Sequence, residues 1–237
     1  MQLKGRLKVI YDRIPVCGIL ADIGTDHAHI PAAALINGLC KKALACDVRT
    51  GPLERALETK QRYHLGDELE LRLGSGLEPL REEECDVIIL AGMGGNLIGE
   101  LLTQQRHKAQ RARRIILQPM HAQESVRPYL WENGFEVEEE ALAREGDKIY
   151  QILAVRYNES KRRTRPLSPE QAWKAVIGEK LITERDPLLK LWIENRKTRQ
   201  QRIVDGMAKA LAPRSQYERE TALLGQLEEL LKQIQEG

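Results

Sequence analysis

Long apolar runs are missing from this sequence of 237 residues. It contains no stretch of about 18 apolar residues of the kind that spans a bilayer, and residues 1–9 lack the apolar segment of a signal peptide. Only four cysteines are present, at positions 17, 40, 46 and 85, and none forms a CxxC pair. We therefore expect a cytoplasmic protein with reduced thiols, and we expect neither a membrane span nor a disulfide framework.

Aromatic residues are also scarce, at 4% of the chain with a single Phe. An extended platform for stacking nucleobases is therefore not expected. Hydrophobic residues make up 42% of the chain and charged residues 30%, which is typical of a globular protein and argues against disorder.

Short apolar segments alternate with amphipathic ones over the first two thirds of the chain. The predicted strands before residue 120 cover 19–23, 43–48, 69–73, 87–91 and 115–117. Two more, at 135–143 and 149–157, follow each other without a helix between them. The alternation predicts a parallel sheet covered by helices, and the last pair predicts an antiparallel hairpin. Such an ending is typical of S-adenosylmethionine (SAM)-dependent methyltransferases rather than of dehydrogenases.

The character of the sequence changes after Tyr157. Residues 158–166 are charged and end in Pro, which indicates a linker, and no strand pattern follows. Apolar residues spaced by three and four predict a long antiparallel helical hairpin. Its seam comprises Tyr217, Thr221, Leu224, Leu227, Leu231 and Ile234, and the facing set comprises Leu188, Trp192, Ile203, Met207 and Leu211. We predict an α/β domain over residues 1–160 and an all-α coiled-coil substrate arm over 161–237.

The loop after the first strand indicates the kind of ligand. Open parallel sheets bind ligands at the carboxyl ends of their strands, and Asp22 and Gly24 stand at such an end. Gly24 permits a sharp turn and a close ligand approach. Asp26 occupies the place of the second glycine of a dinucleotide-binding loop, where its charge would repel a pyrophosphate. The loop is compatible with a cationic group, such as the sulfonium and amino group of SAM.

Three further strand ends complete the predicted cofactor site. Asp47 ends the second strand and is placed to accept hydrogen bonds from both ribose hydroxyls, with a helix N-cap as the alternative role. A polar loop after the third strand is expected to cover an adenine, and its candidates are Gly74 and Ser75. The loop after the fourth strand is rich in glycine, which indicates close backbone approach to a ligand rather than only a tight turn. Its candidates are Ala91, Gly92 and Met93.

These segments carry a family resemblance. The run DIGTDHAHIP at 22–31, with AGMGG at 91–95 and LQP at 117–119, resembles the bacterial TrmK (YqfN) family of tRNA (adenine(22)-N(1))-methyltransferases. The resemblance covers essentially the whole chain. It implies a class I, Rossmann-like SAM-dependent methyltransferase with a coiled-coil arm, which transfers a methyl group from SAM to ring nitrogen 1 of adenine at tRNA position 22. The sequence departs from the family pattern at His29, where Tyr is expected, and at Met120, where Asn is expected.

Asp26 is the first candidate for a catalytic residue under this reading. Methylation at nitrogen 1 gives a cation, which a carboxylate near the exocyclic amine would stabilise. Binding the SAM amino group and capping the next helix are the alternative roles of Asp26. His27 is expected to orient SAM or Asp26, or to make a structural hydrogen bond. We expect no metal, because histidines two apart on a helix, such as His27 and His29, do not share a face.

Positive charge is clustered, although the net charge is only +2. Residues 158–237 hold 16 Lys and Arg against 12 Asp and Glu. Two clusters are predicted to bind RNA phosphates, with solvated helix faces or a linker as the alternative. The first comprises Arg106, Lys108, Arg111, Arg113 and Arg114, and the second comprises Lys161, Arg162 and Arg163.

Other function classes stay open on the residues alone. A small-molecule methyltransferase is one, although a long helical arm would be an unusual lid. A non-catalytic protein that keeps SAM-binding and RNA-binding sites is another. Asp26 and the final hairpin disfavour a nicotinamide-dependent oxidoreductase. The expected partner is tRNA, and the expected oligomeric state is a monomer.

Overall fold

The apolar segments assemble into one sheet in the computed structural model, which describes residues 1–236. Its strands are β1 (Cys17–Ile23), β2 (Cys40–Asp47), β3 (Leu69–Leu73), β4 (Val87–Gly94), β5 (Arg114–His121), β6 (Phe135–Glu145) and β7 (Lys148–Tyr157). The first five run parallel, and β7 lies antiparallel to both β5 and β6. The predicted Rossmann-like sheet with a terminal antiparallel hairpin is confirmed.

The strand order places a crevice beside β1. The order is β3-β2-β1-β4-β5-β7-β6, so the chain moves outward from β1 to β3 and then returns to add β4 on the other side of β1. The connections after β1 and β4 therefore leave the sheet in opposite directions. Such a switch in strand order opens a crevice at the carboxyl ends of the strands.

Helices cover both faces of the sheet. The described residues of this part form α1 (Gly5–Tyr11), α2 (His29–Ile36), α3 (Thr50–Arg62), α4 (Gly95–Gln104), α5 (Arg106–Arg111) and α6 (Val126–Glu132). Alternate residues of β4 face opposite sides, as a pleated strand requires. Ile88 and Leu90 pack in the cluster that holds residues of α4, α5 and α6, whereas Val87 and Ile89 pack with α1, α2 and α3.

Several elements differ from their predicted bounds. The strands β4 and β5 continue to Gly94 and His121, because their ladder persists through irregular pairs such as Met93 with Pro119. The segment between β4 and β5 forms two helices rather than one, since the chain leaves helical geometry at Gln105. Helix α1, which packs in the cluster with α2 and α3, was not predicted.

The chain divides into two compact units, Met1–Arg163 and Thr164–Gly237, just after the boundary predicted at residues 160 and 161. The described part of the second unit holds α7 (Trp173–Val176), α8 (Glu179–Thr183), α9 (Leu189–Lys209) and α10 (Arg214–Glu236). Helices α9 and α10 pack together, and the Gln200 side chain of α9 donates a hydrogen bond to the Glu220 carbonyl of α10 at 3.0 Å. No helix among the described residues combines the length and apolar character needed to cross a bilayer.

The contact face of the two long helices differs from the predicted seam. Leu224 and Leu227 are buried as predicted, but Thr221 is exposed and Leu230 is buried. Leu211 is 91% exposed because it lies in the turn between the helices with a positive φ of 51°. The short helices also cover α10, since the Trp173 backbone N–H donates to the Gln226 side chain at 3.2 Å.

One ion pair is buried where α6 packs against the antiparallel hairpin. Arg127 Nε donates to Glu140 Oε1 at 2.7 Å, and each side chain is 2% exposed. The amide oxygen of Gln151, on β7, accepts from the same guanidinium group. Removing one partner of such a pair leaves the other charge buried without compensation.

We expect the substitution Glu140→Ala to lower the free energy of unfolding by about 3 kcal/mol because Arg127 would lose its counter-charge. The control Asp12→Ala removes an exposed ion pair with Lys8 in the same unit, and it should cost less than about 1 kcal/mol. Urea unfolding of the full chain, followed by circular dichroism, measures both. Equal losses in the two variants would contradict the role given to the buried pair.

Candidate functional site

A cleft of about 290 Å³ lies at the carboxyl ends of β1 to β4. Each of these strands contributes residues at or directly after its end. Among the lining residues are seven of the predicted cofactor-binding residues, namely Gly24, Asp47, Gly74, Ser75, Ala91, Gly92 and Met93. Asp22 and His27, which were predicted with them, do not line the cleft. The structure thus brings four separate loops together, and their roles in binding stay a prediction.

Asp47 presents a carboxylate at the cleft. Its side chain is 7% exposed, and its Oδ1 accepts the backbone N–H of Arg49 at 2.8 Å. This bond closes a local turn, and no side-chain hydrogen bond caps the helix that starts at Thr50. The geometry therefore does not support the alternative role of Asp47 as the N-cap of α3. The guanidinium group of Arg49 lies 3.6 Å from the same oxygen and is 75% exposed.

Asp22 is a second buried carboxylate, on the neighbouring strand. Burial raises its pKa to about 6, the hydroxyl of Thr25 opposes the rise, and the charge of Asp47 adds to it. Thr25 Oγ1 also accepts the backbone N–H of Ala28 at 3.1 Å, so its own hydrogen is available to Asp22. Asp22 therefore ties the segment after β1 to the start of α2 through Thr25, and it interacts electrostatically with Asp47, which lines the cleft.

The glycines at the end of β4 and the start of α4 serve different purposes. Gly92 has a φ of +77°, and a Cβ built on it would meet nothing within 4 Å, so this position is open towards the cleft. A Cβ on Gly94 would lie 2.3 Å from the ring of His121, and one on Gly95 would lie 2.1 Å from the carbonyl oxygen of Ala122. Gly94 and Gly95 were not among the predicted cofactor-binding residues, and they permit close packing against the end of β5.

The side chain of Gln118 fixes the position of the same glycine-rich segment. It is fully buried on β5, and its Oε1 accepts the backbone N–H of Gly92 at 3.2 Å. Its Nε2 donates to the carbonyl of Pro119 at 3.1 Å. Sequence reasoning gave Gln118 no role, and the only available signal was a polar residue at the end of an apolar strand.

Asp26 lies outside the cleft lining and is 63% exposed. Arg55, near the start of α3, donates two hydrogen bonds to its Oδ1, that from Nε at 2.9 Å. This guanidinium group lowers the pKa of Asp26. His27 Nε2 lies 3.3 Å from the other carboxylate oxygen. Sequence analysis did not identify Arg55, because 29 residues separate it from Asp26 and no motif connects them.

The rings of His27 and His29 stack with their centroids 5.1 Å apart. The expectation that they do not share a face assumed that both lie on one helix, and it is wrong because α2 begins only at His29, so His27 lies in the preceding loop. Ala28, between them, has a left-handed φ of 52° that turns the chain back. Over residues 1–236, no group of three or more His, Cys, Asp or Glu side chains is arranged to hold a metal ion.

The first basic cluster lies at the amino ends of the parallel strands, whereas the cleft lies at their carboxyl ends. Helix α5 immediately precedes β5, so Arg106 to Arg114 lie towards the amino end of that strand. Every predicted member has a protein partner. Arg106 bonds Asn133, Lys108 bonds the Leu77 and Glu78 carbonyls, Arg111 pairs with Glu83, Arg113 bonds the Val16 carbonyl, and Arg114 pairs with Glu138 and Glu139. Phosphate binding by this cluster stays a prediction.

The second basic cluster follows the end of β7 and lies at the same end of the sheet as the first. Arg163 stacks on Trp131 with 4.4 Å to the ring centroid, and its backbone N–H donates to the Trp131 carbonyl. Arg162 donates to the carbonyl of Glu132, and Lys161 lies 4.0 Å from Glu136. These contacts give all three residues a structural role beside the predicted one.

Comparisons with known proteins give a consistent picture. Residues 3–153 match the model of a family described as a methyltransferase domain. A curated relative, the tRNA (adenine(22)-N(1))-methyltransferase of Bacillus subtilis strain 168, is 33% identical over 153 residues, which are 65% of this chain and 64% of that protein. The aligned segment thus spans less than two thirds of the relative's length.

Two solved structures resemble the chain over nearly its whole length. The Bacillus subtilis m1A22 tRNA methyltransferase TrmK superposes with a TM-score of 0.82 at 26% identity, covering 97% of this chain and 99% of that one. A Streptococcus pneumoniae protein in complex with S-adenosyl-L-methionine has a TM-score of 0.81 at 26% identity, covering 95% and 98%.

We expect Gly95→Ala to lower the free energy of unfolding by about 2 kcal/mol, because its Cβ would overlap the Ala122 carbonyl oxygen and force α4 away from β5. The control Gly206→Ala changes a helical glycine whose Cβ would meet nothing within 4 Å, and it should stabilise by up to about 1 kcal/mol. Urea denaturation compares the two. Similar changes in both variants would refute the packing role of Gly95.

Proposed function

The chain belongs to the methyltransferase-domain family, and we propose that it transfers a methyl group from SAM to ring nitrogen 1 of adenine 22 in tRNA. The observation that carries the proposal is the cleft at the switch in strand order, where the buried carboxylate of Asp47 lies with the open Gly92 segment of β4 and a second buried carboxylate, Asp22, interacts electrostatically with Asp47. Sequence and fold similarity to the Bacillus subtilis tRNA methyltransferase supports the choice of acceptor.

The residues at the cleft suit the cofactor. Asp47 offers a carboxylate that accepts hydrogen bonds from ribose hydroxyls. Val48, which is 63% exposed, and Leu97 offer apolar surface to a purine ring. Gly92 leaves its side of the cleft free of a side chain. When bound, SAM supplies an electrophilic methyl group on its sulfonium centre.

Buried negative charge favours this cofactor over neutral or anionic ones. Asp22 and Asp47 lie at the ends of adjacent strands, and the pKa of Asp22 is raised chiefly by burial, with repulsion from Asp47 adding to the rise. A cation bound nearby relieves both that repulsion and the cost of burying an ionised carboxylate. SAM carries such charges on its sulfonium and its ammonium groups. A pyrophosphate-containing dinucleotide would add negative charge instead.

The acceptor chemistry requires orientation more than proton transfer. Nitrogen 1 of adenine has a lone pair in the plane of the ring and attacks without prior deprotonation. The protein must therefore hold the extruded base in line with the methyl group. We propose that Asp26 stabilises the cationic product through contact with the exocyclic amine of the methylated adenine. Asp26 suits this role because Arg55 keeps its carboxylate ionised and orients it. Arg55 is then a positioning residue.

Binding of the tRNA requires phosphate contacts near the cleft. Arg49 is exposed at the cleft. It is therefore better placed for these contacts than the two predicted basic clusters, which lie at the opposite ends of the parallel strands. We assign those clusters to more distant parts of the tRNA, and the helical second unit to further contacts with the same RNA. Because tRNA is the substrate, we also propose that the protein is cytoplasmic. We propose separately that it acts as a monomer.

The purified protein, incubated with isotope-labelled SAM and unmodified tRNA, should place one methyl group on adenine 22. Nuclease digestion and mass spectrometry locate the label, and a transcript with guanine at position 22 serves as the control that should stay unlabelled. Methylation of small molecules but not tRNA would contradict the proposal. Binding of SAM and tRNA without any transfer would contradict it as well and would favour the non-catalytic alternative.

We expect SAM affinity to fall as the pH is lowered from 7 to 5. A carboxyl with a raised pKa of about 6 is ionised above that pH and neutral below it, so its attraction for a cation is lost on acidification. The dissociation constant should rise by up to about tenfold per pH unit below 6. Asp22→Asn should bind more weakly at pH 7 and lose most of this dependence, as measured by calorimetry. A pH profile unchanged by the substitution would exclude Asp22.

A further inference from the structure

We propose that a groove between α4 and α6 binds a second unpaired nucleobase of the RNA substrate, beside the base that is methylated. The inference deepens the proposed function and rests on it. The groove has a volume of about 550 Å³ and lies between residues 95–104 on one side and Ser125 and Tyr129 on the other. Its volume is within the range of small-molecule sites.

The groove and the cofactor cleft lie on two sides of one helix. Leu97 and Leu101 line the cleft, whereas Asn96, Gly99 and Glu100 line the groove. A helix with its side chains is about 10 Å wide, so a base in the groove is not the base that receives the methyl group. Both sites include residues next to the junction of β4 and α4, Met93 in the cleft and Gly95 in the groove. An RNA strand that delivers one base to the cleft therefore passes the entrance of the groove.

Tyr129 gives the groove an aromatic wall of fixed orientation. Thr103 Oγ1 donates its single hydrogen to the carbonyl of Gly99 at 2.8 Å, so the Tyr129 hydroxyl must be the donor in its 2.9 Å bond to Thr103. The ring also packs over Gly99, where a Cβ would lie 3.2 Å from it. Burial raises the pKa of Tyr129, which keeps its hydroxyl protonated for this bond. A fixed aromatic ring suits a stacked base.

The polar rim of the groove distinguishes a base from a phosphate. Asn96, Glu100 and Gln104 follow one another at intervals of four along α4, and all three are exposed. No Lys or Arg is found among the described residues that line the groove. The carboxylate of Glu100 repels phosphate but accepts hydrogen bonds from an exocyclic amine. The groove should therefore prefer adenine, cytosine or guanine to uracil.

The test uses the full chain and three exposed or half-exposed positions. Tyr129→Leu removes the aromatic face but keeps apolar bulk, and it should weaken tRNA binding by about tenfold, the effect of losing one stacked base. Glu100→Lys should also weaken binding, because the proposed ligand donates its amine to the carboxylate. Glu58→Lys is the matched control, since it makes the same charge change at an exposed position of α3 and should not weaken binding.

The readouts are the tRNA dissociation constant, kcat at saturating tRNA and SAM affinity. We expect kcat within about twofold of wild type and unchanged SAM affinity, which also demonstrates correct folding. Transcripts in which each nucleotide near position 22 is replaced by uracil identify the base. One replacement should weaken binding to wild type but have no effect on Glu100→Ala, because both remove the same hydrogen bond.

Two results would overturn the groove assignment. One is wild-type affinity for tRNA in both Tyr129→Leu and Glu100→Lys, while wild type methylates tRNA normally. The other is tighter binding by Glu100→Lys, which would indicate a phosphate. Failure of the proposed function is a different result, in which the wild-type protein itself transfers no methyl group to any tRNA.

Discussion

The burial of two carboxylates at the ends of adjacent parallel strands is the constraint on which the site depends. Asp22 and Asp47 are each less than a tenth exposed, and neither can spread its charge into bulk water. The fold tolerates them because the backbone N–H of Arg49 donates to Asp47 and the hydroxyl of Thr25 donates to Asp22. A cation bound in the cleft, as we propose, would compensate their charge further. The reversal of strand order beside β1 leaves that cleft uncovered, so fold topology and site electrostatics are linked.

The glycine-rich loop illustrates how ligand binding and packing share one segment. Gly92 faces the cleft and is held by the buried amide of Gln118. Gly94 and Gly95 instead allow the start of α4 to lie against His121 and Ala122 at the end of β5. Since α4 also forms one wall of the groove, the same close approach sets the spacing between the cofactor cleft and the second proposed site.

Much of the fold was predictable because local patterns determine it. Apolar runs of strand length and the missing helix before the last strand were sufficient to predict the sheet, and strand ends identified Asp22 and Asp47. The contacts of Arg55 and Gln118 were not predictable, since both arise from tertiary proximity without a sequence motif. The basic cluster after α4 was assigned from charge alone. A helix that follows a parallel strand runs back along the sheet. This cluster therefore lies at the amino ends of the parallel strands, opposite the cleft.

Calorimetric titration of SAM into the wild-type protein and into Asp47→Ala tests the central claim most directly. The account predicts measurable binding to wild type with one site per chain, and binding weakened by at least about tenfold in the variant, whose circular dichroism spectrum should be unchanged. The tenfold figure corresponds to the loss of about one charged hydrogen bond. Equal affinity in the two proteins, or no heat of binding to wild type, would contradict it.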